Sequence, residues 1–460
     1  LNIYSANFIK LYQHNLQALY KWQNFSLGSG YFNKQRENDS ELMEFKGDRI
    51  TKLKGNFSYS KDNKVSATLH WQQEVNDSLS TTWKQKEKAN TYGISSYWNT
   101  SNHQFDVDIS RRTTQQESYD MAEIRVSNSF WQQALDSDFT YSLQNVEFYP
   151  KQRELVYVGE EYGLYDSTGT YSDDGEYIWE VTDIDYDNPQ LSVEVNANFN
   201  LYFKPAQLTK GFAKRFETET NVIVTENSKA DDKTSIYFLN PNALMKKGST
   251  LYGKNSLFQN VWIDIWHRRL TAKLGFQYDK ILDNRYQSEQ ISRYNQWEAS
   301  LRSRMIKDND VELSYFYTEE EDSYYHSRID KNEIQLDIRS NLPSSLVLTT
   351  EMSYDKEVGS SNLGEGSYNI KSWDISENLT YFGSNRYRIF GRLLYRKNWR
   401  SGSGFLGYLP EKREGNIWNW KFNFNYKINK FTSTSLEYNG DSYPNQDTKH
   451  EIQVELKAEF

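Results

Sequence analysis

The closing stretch, Glu451-Ile-Gln-Val-Glu-Leu-Lys-Ala-Glu-Phe460, most constrains what this chain can fold into. Ile452, Val454, Leu456, Ala458 and Phe460 fall at every second position. Glu451, Gln453, Glu455, Lys457 and Glu459 fill the positions between them. Successive side chains of a strand point to opposite faces, so this alternation makes one apolar face and one polar face. A helical period of 3.6 would scatter both sets around the axis. A soluble protein rarely ends on a fully amphipathic strand whose last apolar side chain sits at the carboxylate.

The same period-two pattern recurs along the 460 residues. Leu53, Gly55, Phe57 and Tyr59 alternate up to Lys61-Asp-Asn63, and Val65, Ala67, Leu69 and Trp71 alternate away from it. Trp297, Ala299, Leu301 and Met305 run to Lys307-Asp-Asn-Asp310, and Val311, Leu313, Tyr315 and Tyr317 return. Trp418, Trp420, Phe422, Phe424, Tyr426 and Ile428 turn at Asn429-Lys430 into Thr432, Thr434, Leu436 and Tyr438. Alternation between turn signals marks strands joined as hairpins. About 21 such runs are present, within an expected range of 20–22, beginning with a run at 1–12. The pattern predicts short turns near 61–63, 99–102, 133–137, 267–269, 307–310, 340–344, 382–386 and 429–430. It predicts long loops near 25–50, 73–90, 112–121, 279–294, 318–331, 355–370, 398–415 and 440–449.

The terminal strand with its final Phe460 resembles the C-terminal strand of bacterial outer-membrane β-barrels, where a terminal Phe is part of the assembly signal. The resemblance assigns Ile452, Val454, Leu456, Ala458 and Phe460 to that signal. It implies an all-β, transmembrane, antiparallel up-and-down barrel with short periplasmic turns and long extracellular loops. Outer-membrane lipid, lipopolysaccharide and the barrel-assembly machinery are the partners it implies, with other envelope proteins as further candidates. Residues 149–189 interrupt the pattern with a Gly, Tyr and Asp-rich insertion that loosely resembles segments of large Bacteroidota and Chlorobi-type envelope proteins. The expectation is a single barrel domain over 1–460 carrying that insertion. Single-chain barrels of this class have even strand numbers, so a count of 21 points to a trimmed N-terminus or an upstream segment.

Physical chemistry leads to the same architecture. Polar side chains such as Asn419, Lys421, Asn423, Asn425 and Lys427 share one face of a strand, as do Asp374, Ser376, Asn378 and Thr380 on another. Burying such groups unpaired costs several kcal/mol each, on the order of 2–7 for a neutral one, so they line water rather than a dry core. Polar inside and apolar outside inverts a soluble protein, and only a closed barrel satisfies its backbone in hydrocarbon. A barrel of about 20 strands is too wide for side chains to fill, so a pore or a plug is expected.

Composition narrows the field. No run of about 18 apolar residues exists, so a transmembrane helix is excluded, but a spanning strand needs only about 10 residues. Aromatics make up 16% of the chain, with 35 Tyr and 13 Trp, which suits girdles at two membrane interfaces. An aromatic-rich soluble glycan-binding β-protein would share that richness. The absence of cysteine excludes disulfides, zinc–thiolate sites and cysteine nucleophiles. A net charge of −9 argues against a nucleic-acid partner.

The residues that could carry function lie on the polar face. Arg388, Arg392 and Arg396 share one strand, Lys421 and Lys427 follow on the next, and Arg302 and Arg304 lie elsewhere. Glu451 and Glu455, with Glu459, line the last strand. A basic wall opposite acidic positions would impose a transverse field on a lumen. Balanced charge in any wet lumen explains the same residues. Asp166, Asp173, Asp174, Asp183, Asp185 and Asp187 offer hard oxygen ligands, but their spacing lacks the full calcium-loop pattern. A solvated acidic loop explains them as well, and no cofactor or metal site is expected. His326, near Asp322 and Ser323, is the one catalytic candidate, and adjacency in sequence is not triad geometry; no enzyme activity is expected.

Three functions remain in view. The first is an outer-membrane pore or channel for polar solutes. The second is a barrel that anchors, receives or translocates within a larger envelope protein or complex. The third is the soluble glycan-binding protein. A receptor plug of about a hundred residues would have to lie upstream, because strand pairs begin near residue 14.

Overall fold

The computed structural model describes residues 9–38, 47–62, 64–79, 82–115, 117–149, 151–159, 165–169, 175–184, 190–209, 211–229, 232–285, 290–323, 327–361, 366–383, 386–402 and 412–458. They form an all-β chain with 23 strands, of which 21 belong to one sheet and two form a separate hairpin. The count of 21 meets the expected 20–22. The chain divides into two compact units, residues 1–149, 188–201 and 222–253 in the first, and 150–187, 202–221 and 254–460 in the second.

The first unit opens with eight strands: β1 (Ile9–Trp22), β2 (Phe25–Asn38), β3 (Gly47–Lys61), β4 (Val65–Leu79), β5 (Trp83–Asn99), β6 (His103–Thr113), β7 (Ser118–Phe130) and β8 (Leu135–Phe148). Each pairs antiparallel with the next. Between β8 and the next sheet strand lies the hairpin of β9 (Lys151–Tyr157) and β10 (Tyr177–Ile184), which belongs to the second unit. Strands β11 (Gln190–Phe203), β12 (Phe216–Ser228) and β13 (Thr250–Trp266) each have residues in both units, and β11 pairs with β8.

The second unit continues as β14 (Leu270–Asp283), β15 (Gln290–Ser303), β16 (Asn309–Asp322), β17 (Ser327–Leu342), β18 (Leu346–Ser361), β19 (Gly366–Gly383), β20 (Tyr387–Gly402), β21 (Gly415–Lys427), β22 (Thr432–Ser442) and β23 (Lys449–Ala458). Nine successive antiparallel pairings join them. This is an up-and-down meander, the connectivity that short turns between consecutive strands impose. Several tight turns place non-glycine residues in the left-handed region, His267–Arg268 and Ser344–Ser345 as adjacent pairs. Two positive-φ residues match the twist of the flanking strands in a tight hairpin.

The pairing register fixes the polarity of the sheet. On β16, Leu313 and Tyr315 are 49% and 43% exposed, whereas Ser314 between them is 4% exposed. The apolar row to which Leu313 belongs runs without a polar break through Ala272, Leu301, Leu313, Leu336, Met352, Ile375, Tyr395 and Trp418, each half-buried or exposed. In the first unit an equivalent row joins Tyr20, Leu27, Phe57, Leu69, Ile94, Ile109, Ala122 and Leu143. The opposite face buries Ser300, Ser314, Ser353, Asp355, Ser372, Ser376 and Asn398. Apolar out and polar in is the reverse of a water-soluble β-protein.

Strand ends correct the loop expectations. The span 25–50 is mostly strand, since β2 runs to Asn38 and β3 starts at Gly47. The 73–90 loop shrinks to 80–82, because β4 extends to Leu79 and β5 begins at Trp83. The spans 112–121, 279–294, 318–331, 355–370 and 440–449 shorten likewise, and 398–415 becomes strand through Gly402. Strands of 14–18 residues exceed the length a bilayer needs, about 9–11 residues. Their outer ends pair through polar side chains in water, where the apolar alternation that marks a strand in sequence fades. Of the expected run at 1–12, residues 9–12 open β1, which carries on to Trp22, and 1–8 lie outside the described residues. Residues 149–189 are not wholly irregular, because they contain the β9–β10 hairpin, and Tyr165 bridges to Tyr177.

The stretch near 205–255 hides a feature that the period-two pattern could not signal. After β12 the chain makes helix α1 (Lys233–Tyr237), within the first unit. Asp232 caps α1 by accepting from Ser235 N at 3.2 Å. Ile236 is fully buried among Tyr141, Leu143, Val193, Val195 and Ala197. Tyr141 and Leu143 lie on the apolar face of β8, in register with Ile124 and Ala122. The excursion therefore lies on the apolar face of the sheet and covers part of it. Tyr141 Oη donates to the Tyr237 carbonyl at 2.6 Å. Glu226, buried at the end of β12, accepts from Met245 N at 3.0 Å and from Thr250 Oγ1 at 2.5 Å, anchoring the returning limb.

Candidate functional site: the charged polar face

The polar face of β17–β20 in the second unit carries a cluster of charge. Lys331 Nζ lies 2.7 Å from Glu333 on β17. Arg396 of β20 reaches Asp374 of β19 at 3.4 Å, and Ser353 Oγ donates to the same carboxylate at 2.6 Å. Asp355 is buried beside them. Glu357 accepts from Tyr368 Oη at 2.7 Å and from Lys412 Nζ at 2.6 Å. These side chains converge because they share strand parity and lie in neighbouring positions of the β17–β18–β19–β20 register.

Lys412 comes from the limb before β21, not from a strand. Asn398 of β20 donates its Nδ2 to the Arg413 carbonyl at 2.9 Å. The limb at 412–414 is thus held against the polar face. Around it Ile370, Tyr368, Ile417 and Asn398 are buried. Here the polar face is locally covered by its own chain, and the covering contacts are charge-assisted hydrogen bonds, the stronger kind.

Each cation singled out in the sequence has a definite place. Arg396 is paired as above. Lys421 Nζ meets Glu437 at 2.6 Å on β22, and Asn423 donates to the other oxygen of Glu437 at 3.2 Å. Arg302 forms a two-pronged pair with Asp310, its Nε at 2.8 Å. Arg304 Nε reaches the same Asp310 at 3.2 Å, but Arg304 follows the end of β15 and belongs to the turn. Arg392 Nε is 3.4 Å from Ser376 Oγ. The Arg388 guanidinium sits over the Phe382 ring at 5.1 Å. Arg388, Lys427 and Glu455 line one cleft of about 480 Å³ at the turn end of β20–β23. Glu451 is in register with Asn439 and is exposed.

The basic wall is therefore interleaved with acid. Of its cations on β20 and β21, Arg396 and Lys421 are paired with carboxylates, and Arg388 and Arg392 are exposed and have no ion pair among the described residues. Sequence reading missed Lys331, Glu333, Asp355, Glu357, Tyr368 and Lys412. The strand residues share the polar parity of their strands, so alternation alone could have flagged them. Lys412 gives no such signal, since its partner is 55 positions away.

In the first unit the same face holds Lys52 at 2.8 Å from Glu74, and Arg112 at 3.6 Å from Glu74 and 3.2 Å from Glu87. Of the apolar strand-end residues, Ile452, Val454, Leu456 and Ala458 share the apolar face of β23, a strand exposed on both faces, in register with Tyr438, Leu436, Thr434 and Thr432. Glu459 and Phe460 lie outside the described residues, as do Asp173, Asp174, Asp185, Asp187 and His326. Only the backbone of Asp183 is described, within β10. Asp166 accepts from the backbone and hydroxyl of Thr168, at 2.8 and 2.6 Å. Ser323 Oγ accepts from Ile291 N at 2.7 Å, a strand-end contact.

Fold and face together define a class: an antiparallel up-and-down β-sheet with an apolar exposed face and a hydrogen-bonded, charged polar face. No protein-family model and no curated protein matches the chain. Among solved structures it is similar to the outer-membrane transporter YddB of Escherichia coli, at 8% identity over 97% of this chain and 74% of that one, with a TM-score of 0.43. It is also similar to the alcaligin outer-membrane receptor FauA of Bordetella pertussis, at 10% identity, 97% and 70% coverage and a TM-score of 0.39. An anion-selective porin of Comamonas acidovorans matches at 10% identity, 85% and 90% coverage and a TM-score of 0.29.

Proposed function

We propose that this chain is a bacterial outer-membrane β-barrel that carries polar solutes across the membrane. The observation that supports this reading is the inverted sheet. An uninterrupted apolar row on the outer face needs hydrocarbon, and a polar face of Ser, Asn, Asp and Arg needs water or charge partners. Closure into a barrel would satisfy the edges of such a sheet in a bilayer. Lipid and lipopolysaccharide on the outside and the barrel-assembly machinery during insertion are the partners that this reading brings with it.

A second reading draws support from the limb at 412–414 and the residues buried under it. A lumen covered in this way suits a gated receptor or an anchor within a larger envelope assembly. The experiment that separates the two is single-channel conductance of the refolded chain in planar bilayers, with reversal potentials under a salt gradient. Steady conductance supports the channel. Insertion without conductance rejects an open pore and leaves the receptor or anchor.

A further inference from the structure

On the apolar face of β19 an acid stands among aliphatic and aromatic side chains. On β19 the exposed-face residues read Trp373, Ile375, Glu377, Leu379 and Tyr381. Glu377 sits at the centre, between two aliphatic side chains, which are in turn flanked by two aromatic ones. Across the sheet its register partners are Thr350 on β18 and Leu393 on β20. The row continues outward to Ile338 on one side and Trp420 on the other.

Three further observations describe the surroundings. The Thr350 hydroxyl lies 2.9 and 3.0 Å from the two Glu377 oxygens and donates to the carboxylate. No lysine or arginine among the described residues pairs with Glu377. The nearest cation on this face of β20, Lys397, is in register with Trp373 and lies over the Trp399 ring at 5.4 Å. Diagonally beside Glu377, Gly391 is in register with Leu379 and Phe422, and a Cβ built on it would meet nothing within 4 Å. The result is a shallow notch next to an acid.

We infer that the face of β18–β20 centred on Glu377 docks a membrane-spanning segment of another protein that presents a lysine or arginine at mid-membrane depth. This rests on the membrane reading above. A carboxylate in hydrocarbon is costly, and such residues pair with an opposite charge or mark a functional surface. One threonine hydroxyl satisfies only part of a carboxylate, which has about four acceptor sites. A cationic partner docked on this face would supply both charge and the remaining donors. The notch at Gly391 admits the stem of a long side chain, and small residues of this kind let membrane segments approach closely. A second copy of the chain fits less well, because a two-fold contact through this face would set Glu377 against Glu377.

The test uses the full chain in dioleoylphosphatidylcholine vesicles. The protein has no cysteine, so Gln446→Cys offers a single labelling position. The probes are Leu-rich transmembrane peptides carrying one central Lys or a central Leu, and energy transfer to the labelled protein reports association. Insertion is checked first by protease protection. The Lys peptide is expected to bind about tenfold more tightly than the Leu peptide, and Glu377→Gln should remove that preference without altering insertion. Gly391→Leu should weaken the Lys peptide by filling the notch. Equal binding of the two peptides, a preference that survives Glu377→Gln, or self-association that depends on Glu377 would each overturn the inference. A chain that fails to insert at all would sink the membrane reading itself, an outcome that protease protection tells apart from loss of peptide preference.

Discussion

Tyr237, the last residue of helix α1, donates its hydroxyl to Asp120 Oδ2 on β7 at 3.0 Å, across 117 residues of sequence. Asp120 also lies 3.5 Å from Arg111 on β6. This contact fastens the excursion after β12 to the exposed face of the sheet, next to the apolar seat of Ile236. Replacing Tyr237 with Phe should loosen the excursion by about 1 kcal/mol, the net worth of a hydrogen bond. Ile236→Ala should cost more, about 2–5 kcal/mol, because it empties a fully buried site. Hydrogen exchange of 233–245 in detergent measures both, with exchange elsewhere in the sheet unchanged.

Docking of α1 should also have a defined pH window. Hydrogen bonds from Ser235 hold the Asp232 carboxyl below its ordinary value. A depressed carboxyl contributes stability above its unfolded pKa, near 3.8, and loses it as pH falls through the folded value. Burial, aided by Asp120, pushes the Tyr237 hydroxyl up to about 12. A raised phenol contributes below its unfolded pKa, near 10, and loses it as pH climbs towards about 12. Protease accessibility of 229–249 should therefore stay flat between about pH 4 and 10 and rise outside that window. Asp232→Asn should flatten the acid limb alone.

The cations of the polar face should separate into two groups. Arg388 and Arg392 have no carboxylate partner among the described residues, so replacing both with Ala should shift a conducting chain towards cations with little loss of stability. Arg396 and Lys421 are tied to Asp374 and Glu437. Removing Arg396 leaves the half-buried Asp374 carboxylate with only neutral partners such as Ser353, at a cost below the ~3–5 kcal/mol of a fully buried pair. Reversal potentials and thermal unfolding in detergent, read side by side, check the division. Equal effects of all four substitutions on selectivity would contradict it.

Gly440 lies in register with Trp420 on the apolar face. A Cβ at 440 would collide with the indole ring, an arrangement in which an aromatic side chain covers a strand glycine. Gly440→Ala should force the ring off its seat and destabilise the sheet by about 1–3 kcal/mol. Gly391→Ala, with open space above it, should be close to neutral. Comparing the two heat-unfolding midpoints decides the matter.

Alternation in the sequence was enough to determine that the fold is all-β, that the strands run antiparallel through tight turns, and which face of a strand is polar. Residues such as Leu313, Ser314 and Tyr315 announce their faces locally, because the pleat repeats every two residues. The strand count followed from the same period. Strand ends did not, since the outer parts of β2, β4 and β5 pair through polar side chains and carry no apolar rhythm. Only the tertiary structure decided which charges neutralise one another. Asp374 and Arg396, or Glu357 and Lys412, meet through register and through a returning limb. It alone placed α1 on the apolar face and set Thr350, Leu393 and Gly391 around Glu377. Parity is a property of the backbone at each residue, whereas partnership depends on which strand lies alongside and how far it has slid.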